Sequence, residues 1–274
     1  MIAALYIGKE GLEEDIRIKE LADSLEKGGC SCYRVSDRGG LKEGTDLVLS
    51  VGGDGTFLSV AMLVADSGIP VVGVNLGRLG FLSENRPENV AQAILNQEYI
   101  VEDRSLLSAS LSVQSGNPSV DDWPYALNEV TVHRSGAAML GVDVCLDGKW
   151  LPTYWADGLI VSTSSGSTAY SLSAGGPIVL PQSKVLILAP IAPHNLNIRP
   201  LVVPDNSQIR MRMHSRDGRV IFTIDNRTVE LPSEAEITVS LARFSLRRVR
   251  FNNSDFINAL TEKLFWGEDV RNIR

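Results

Sequence analysis

At 274 residues the chain can bury one large core or two modest ones without covalent staples. Hydrophobic residues make up 44% and charged residues 22%, the balance of a soluble globular protein. A formal net charge of −7, with acidic residues spread along the chain, argues against a general binder of nucleic acid or anionic membrane, because phosphate surfaces reward clustered Lys and Arg. Cys30, Cys32 and Cys145 form no disulfide framework, and Cys30-x-Cys32 has no second Cys/His pair at zinc spacing. Met1–Ile7 carries no basic leader or cleavage site, and no apolar run approaches the ~18 residues of a membrane helix. The expectation is a cytoplasmic protein, neither secreted nor membrane-spanning.

Residues 2–7 form a short, continuous apolar run. Leu12, Ile16, Leu21 and Leu25 follow at roughly helical spacing, and Gly28-Gly29 ends that helix. Asp46–Val51 is apolar with little alternation, as expected of a parallel strand buried on both faces. After a glycine loop, Phe57–Asp66 reads as a helix and Ile69–Val74 as a third strand. Pro87 with Val90, Ala91, Ile94 and Leu95 predicts a helix near 87–97. Strands alternating with helices imply parallel βαβ units. Near residue 103 the texture changes to period-2 runs such as Leu107/Ala109/Leu111, Ile209/Met211/Met213, Val220/Phe222/Ile224 and Ile237/Val239/Leu241, which indicate antiparallel sheet. A last helix near 254–265 carries Phe256, Ile257, Leu260, Leu264 and Phe265 on one stripe. The fold class is therefore an α/β N-terminal domain with a parallel sheet over 1–102, then a β-rich domain over 103–251. The C-terminal segment 252–274 is expected to pack back on the first.

Val48–Val51 leads directly into Gly52-Gly53-Asp54-Gly55-Thr56. A glycine turn between a buried strand and a helix lets backbone N–H groups approach phosphate oxygens, and the helix N-terminus adds favourable partial charge. Open α/β sheets place ligands at this end of their strands. An aspartate there would repel a phosphate; it suits a base for a hydroxyl nucleophile, or a ligand of the Mg²⁺ that escorts ATP. The competing reading is a tight turn in which Asp54 caps the helix. No Gly-Lys-Ser/Thr follows, so this is not a P-loop, and no G-x-G-x-x-G is present. The loop resembles the Gly-Gly-Asp-Gly signature shared by NAD kinases, diacylglycerol and sphingosine kinases, and 6-phosphofructokinases.

Other blocks choose among these families. Residues 71–82, with Asn75 at the end of a strand, resemble the NAD kinase block Gly-x-Asn-x-Gly-x-Leu-Gly-Phe-Leu; taken alone, Asn75 is equally a turn cap. Asn128-Glu129 sits in the strand-like run Tyr125–His133, where neighbouring side chains face opposite ways unless the pair lies at a bulge or strand end. NAD kinases carry Asn-Glu or Asn-Asp there, and the resemblance gives the pair a role in binding NAD. Asp157-Gly158 begins a block running through Ser165, Thr168, Ala169, Tyr170, Ser171, Leu172 and Ser173 to Pro177. It combines a buried strand, a Ser/Thr/Gly loop and a short helix starting near Thr168, which suit a nucleotide's ribose and phosphates. It resembles the family pattern over more than twenty positions. Ala189–Leu196 with Arg199-Pro200 resembles a further block, in which Ala192 lies where the family's backbone approaches the ligand and His194 belongs to the core near the site. Leu264-Phe265-Trp266 resembles the family's C-terminal Lys-Leu-x-Trp.

The resemblance implies transfer of the γ-phosphoryl group of ATP to the 2′-hydroxyl of NAD's adenosine ribose. Asp54 would be the general base, Gly52, Gly53, Gly55 and Thr56 would hold phosphate oxygens, and Mg²⁺ would ride on ATP with no protein ligands assigned. It also implies a β-sandwich-like second domain and a homodimer or homotetramer. A non-catalytic nucleotide sensor and a lipid or sugar-phosphate kinase are the alternatives. Three departures stand out. Ser164-Ser165 replaces the usual Pro-Thr, and Asp225-Asn226-Arg227 stands where many members have Asp-Gly-Gln, which puts ligand contacts there in doubt. Trp155 occupies a ligand-facing position that is sometimes basic.

Overall fold

The computed structural model describes residues 1–9, 11–77, 80–252 and 254–266. Two compact units divide the chain: residues 1–103 together with the stretch from 246 onward, and residues 104–245.

The first unit opens with β1 (Ile2–Ile7), α1 (Ile16–Lys27), β2 (Ser31–Arg34), β3 (Leu47–Val51), α2 (Asp54–Val64), β4 (Val71–Val74) and α3 (Pro87–Leu95). The four strands are parallel in the order β2-β1-β3-β4, with Leu49 opposite both Leu5 and Val72. Every residue of β3 and β4 is buried, which is why both read as apolar runs with little alternation, broken in β3 by the buried Ser50. Leu21 and Leu25 of α1 join Val90 and Ile94 of α3 in one core with Leu5, Leu49 and Val72.

The structure corrects several predicted elements. The helix expected from Leu12 is split into a 3-10 turn at Leu12–Glu14 and α1 proper. Asp15 between them is extended, and its carboxylate accepts from Arg17 N–H at 2.9 Å, restarting the helix as an N-cap. β2 has no counterpart in the predicted strands: it is a half-exposed edge whose Ser31-Cys32-Tyr33-Arg34 shows no apolar run. α2 begins at Asp54, three positions before Phe57, because the N–H groups of Thr56 and Phe57 bond the Gly53 carbonyl. The strand expected over 69–74 begins at Val71, and α3 stops at Leu95.

The second unit takes β5 (Tyr99–Leu111, which starts in the first unit), the single-turn α4 (Pro118–Asp121), β6 (Tyr125–Ala126), β7 (Glu129–Arg134), β8 (Leu140–Leu146), β9 (Lys149–Trp150), β10 (Tyr154–Ala156), β11 (Gly158–Thr163), the one-turn α5 (Tyr170–Ser173), β12 (Val185–Ile191), β13 (Leu201–Pro204), β14 (Ile209–His214), β15 (Arg219–Ile224), β16 (Arg227–Pro232) and β17 (Glu236–Phe251). One antiparallel sheet runs β13-β12-β11-β7-β15-β16. A second contains β10-β8-β14-β17. Val130, Val132, Leu159, Val161 and Phe222 of the first sheet share a core with Val142, Val144, Met211, Ile237 and Val239 of the second. That is a face-to-face sandwich, as the resemblance implied, and its antiparallel strands are what the period-2 runs indicated. The opposite face of β11 and β12 is covered as well: Ile160, Ile187 and Ala189 pack against Ala174 and Val179 of the segment that follows α5.

β17 ends in the first unit, where Arg248 pairs in parallel with Val71. The last helix, α6 (Phe256–Leu264), is capped by Asp255, whose carboxylate accepts from Ile257 N–H at 3.1 Å. Residues 267–274 of the predicted C-terminal segment lie outside the described residues. No helix among the described residues is long and apolar enough to cross a membrane.

Candidate functional site

The glycine turn joins β3 to α2, and Asp54 is the first residue of that helix. Its carboxylate does not cap its own helix. Oδ2 accepts from Phe81 N–H at 2.9 Å, and Oδ1 accepts from Leu82 and Ser83 at 3.1 and 2.8 Å. The 80–83 turn is thus an anion cradle closed by Gly80 N–H donating to Ser83 O at 3.0 Å. Gly80 is required, since a Cβ there would overlap the Asp54 carboxylate. Gly52, at φ 153°, gives its N–H to Val74 O at 2.8 Å, so that donor is spent on the sheet. The Thr56 side chain packs over Gly8 and Gly52, where any Cβ would collide with it. At Gly53 and Gly55 an added Cβ would meet nothing within 4 Å, so the backbone there is open to close approach. Asn75 is buried and serves its own turn: Oδ1 accepts from Gly77 N–H at 2.9 Å, and Nδ2 reaches Ser83 O at 3.5 Å.

In the second unit Asn128 ends the break between β6 and β7 and Glu129 opens β7, and both are buried. Their backbone is clamped on two sides. Asp225 accepts from the N–H groups of Leu127, Asn128 and Glu129 at 2.8, 2.8 and 3.2 Å. Thr163 N–H donates to Asn128 O at 2.9 Å, and Thr163 Oγ1 to Leu127 O at 2.6 Å. Gly166 presses so closely on Asn128 O that no side chain fits there. Glu129 lies opposite Ser162 of β11, and its Oε2 is buried with no hydrogen-bond partner. Burial, reinforced by the nearby Asp225 charge and opposed by Tyr170 N–H, pushes the Glu129 carboxyl up to about 8.

The Ser/Thr/Gly loop is a 3-10 turn, Ser165–Thr168, followed by α5 from Tyr170 to Ser173. The helix expected near Thr168 therefore starts two residues later, after Ala169. Ser171 is buried with an unpartnered Oγ, while Tyr170 and Ser173 are exposed and Ser165, Thr168, Ala169 and Leu172 are half-buried. The Tyr170 ring stacks on His133 at 5.8 Å and 13°, and its hydroxyl lies 3.1 Å from His133 Nε2. Burial pulls the His133 ring down from the usual histidine value, against the Asp157 charge. Asp157, at the junction of β10 and β11, pairs with Arg134 Nε at 2.8 Å. Trp155 is exposed beside a cavity of about 550 Å³ that it lines with Met139, Met213, His214 and Arg216. Ala192 is exposed and holds φ 46°, a left-handed conformation that is uncommon for a residue with a side chain.

Sequence reasoning left the role of Asp225-Asn226-Arg227 open. Asp225 is the clamp just described, and Arg227 is committed to the carbonyls of Ser119, Trp123 and Tyr125 at 2.9, 2.5 and 2.6 Å. It missed His133 and Arg134, whose place beside Asp157 comes only from the pairing of β7 with β11. The 81–83 amides left no signal, because a backbone donor has no residue type.

A parallel-sheet unit presenting a carboxylate at a glycine turn, followed by a sandwich unit with a hydroxyl-rich loop, marks a nucleotide-dependent phosphotransferase. Residues 25–99 match the model of the ATP-NAD kinase N-terminal domain, and residues 127–251 that of the ATP-NAD kinase C-terminal domain. The chain belongs to the NAD kinase family. It is 40% identical to the NAD kinase of Flavobacterium psychrophilum over 94% of this chain and 86% of that protein. With the NAD kinase of Porphyromonas gingivalis it shares 43% identity over 84% of this chain and 80% of that one. A crystal structure of an NAD kinase from Archaeoglobus fulgidus in complex with ATP superposes with a TM-score of 0.79 at 29% identity, covering 97% of this chain and 99% of that one. Yeast NADH kinase complexed with NADH gives 0.84 at 24% identity over 100% of this chain and 90% of that one, a likeness of fold.

Proposed function

We propose that this chain phosphorylates NAD, moving the γ-phosphoryl group of ATP to the 2′-hydroxyl of the adenosine ribose to give NADP and ADP. The observation that carries the reading is the Asp54 carboxylate. A carboxylate has roughly four lone-pair sites; Oδ1 uses two on Leu82 and Ser83, while Oδ2 uses one on Phe81. Oδ2 is the oxygen with a lone pair to spare, held rigidly by main chain. As the acceptor oxygen forms its bond to the γ-phosphorus and the bond to ADP breaks, Oδ2 takes the hydroxyl proton. The open backbone at Gly53 and Gly55, at the α2 N-terminus, supplies the phosphate approach, with Thr56 beside it.

Asn128, Glu129 and Asp157 hold NAD in this reading, together with Trp155, the loop and short helix from Ser165 to Ser173, and Ala192. The left-handed backbone of Ala192 and the orphaned Glu129 Oε2 and Ser171 Oγ favour such ligand contacts. Magnesium, when bound, neutralises charge on the donor's phosphates. Among the described residues no group of three or more His, Cys, Asp or Glu is placed to hold a metal ion. Self-association into a dimer or tetramer belongs to the same reading.

The test is NADP formation from NAD, ATP and Mg²⁺, followed by an NADP-specific dehydrogenase, for the wild type and Asp54→Asn. The substitution keeps the shape and removes the proton acceptor, so turnover falls by ~10²-fold or more with the fold intact. Near-normal turnover in Asp54→Asn sinks the base assignment.

A further inference from the structure

Between the anion cradle and α6 lies a basic side chain to which the reading above gives no task. Lys263 Nζ donates to the carbonyl of Gly80 and sits 4.8 Å from the centroid of the Phe81 ring. Phe256, two turns earlier on the same face of α6, meets that ring from another side at 6.0 Å and 48°. One residue of the cradle is therefore gripped by two residues of one helix.

We propose that Lys263 is a positioning residue for Asp54, fixing through Gly80 and Phe81 the turn whose amides hold the carboxylate. The peptide unit between Gly80 and Phe81 is the link. Its carbonyl accepts from the Lys263 ammonium, and its N–H donates to Asp54 Oδ2 at 2.9 Å, the oxygen assigned to take the proton. A charged donor on the carbonyl polarises the peptide and strengthens the N–H donation at its other end. The neighbouring charges leave Lys263 to this task. Glu84, next after the cradle in sequence, is paired with Arg248 at 2.6 Å and accepts from Ser254 Oγ at 2.6 Å. Burial lowers the Lys263 ammonium's pKa, and the charges of Glu84 and Asp54 oppose that shift. Without the ammonium the Gly80 carbonyl loses a charged partner, the Phe81 ring loses its cation, and Oδ2 is no longer held at a set angle.

The proposal rests on Asp54 being the base, so the test crosses the two positions. Lys263→Met and Lys263→Arg are compared in the wild-type and Asp54→Asn backgrounds, with kcat and the KM for NAD and ATP read separately. Lys263→Met lowers kcat by roughly 10- to 100-fold, the scale of a misplaced catalytic group, and leaves the KM for NAD within about twofold. Lys263→Arg recovers most of the loss. In the Asp54→Asn background Lys263→Met costs less than about twofold more, because the group it positions is gone. Wild-type kcat in Lys263→Met overturns the proposal. So does an equal loss in both backgrounds, or an arginine no better than methionine. If Asp54→Asn itself turns over normally, the base assignment has failed instead, a distinct result. Should Lys263→Met not fold, Lys263→Gln replaces it: a kcat at least about fivefold below wild type supports the role, and parity overturns it.

Discussion

Glu129 sits at the first position of β7, 9% exposed, with Oε2 unpartnered and the buried Asp225 carboxylate nearby. Water would stabilise its charge, and the fold withholds water; hence the rise to about 8. At neutral pH the side chain is therefore a neutral acid that donates as well as accepts hydrogen bonds, which suits a ribose edge. The unfolded chain loses this proton near the ordinary glutamate value of ~4.3. Between that value and about 8 the folded state binds the extra proton, so the residue's stabilising contribution is complete at the acid end and is lost as pH rises through about 8. Glu129→Gln keeps the neutral form at every pH. It should match the wild type near pH 4 and exceed it at pH 8 by about 2 kcal/mol or more, since each pH unit in the window is worth ~1.4 kcal/mol. Urea denaturation at both values reads this, and parallel stabilities of the two proteins across the range would remove the neutral-acid picture.

β17 shows what an element can hide. Its first half, Ile237/Val239/Leu241, alternates and was legible; its last stretch, with Arg247, Arg248 and Arg250, looks like solvated strand. Yet Arg248 is only 4% exposed and bonds Glu84 at 2.6 Å, while Glu102 binds Arg250 at 2.6 Å. Charge in a sequence says nothing of whether its partner is water or a carboxylate twenty or more positions away, so a buried ion cluster is invisible until the chain is folded. The same blindness explains β2, whose edge position needs no apolar run, and the start of α2, where Gly53-Asp54-Gly55 reads as loop although the backbone bonds are already helical. β1, β3 and β4 were legible because strands buried largely on both faces are built mostly of apolar residues, Ser50 in β3 being the exception. Arg248→Met should destabilise the protein by about 3–5 kcal/mol, because Glu84 loses its buried counter-charge. Chemical denaturation checks it, and a loss under about 1 kcal/mol would mean that water reaches Glu84 and the cluster is not closed.

At the scale of the whole molecule, the residues assigned to chemistry and those assigned to holding NAD belong to different units. Asp54, its amide cradle and Lys263 lie in the unit built from 1–103 and the chain's end, whereas Asn128, Glu129, Asp157 and the 165–173 segment lie in 104–245. The motif residues of each set were legible because each is a short run that one turn or strand end gathers. The supports were not legible: Asp225 reaches the Asn128-Glu129 backbone from nearly a hundred positions away, and Arg134 pairs Asp157 from the neighbouring strand. This division predicts that binding and turnover separate by mutation. NAD at about a hundredfold over its Kd stabilises a binding protein by ~2.7 kcal/mol, and Asp54→Asn should keep that stabilisation while losing turnover. Alanine at Asn128, Glu129 or Asp157 should do the reverse to affinity, weakening NAD by ~1–3 kcal/mol because a ligand group loses its bond in a dry site. At Asp157 this loss cannot be charged to unfolding, since its pair with Arg134 is about a third exposed and worth at most ~1 kcal/mol. Titration calorimetry with NAD on the four variants decides the matter. Unchanged affinity in all three alanine variants would place the acceptor pocket on other residues, and lost affinity in Asp54→Asn would make the aspartate a binding group rather than a base.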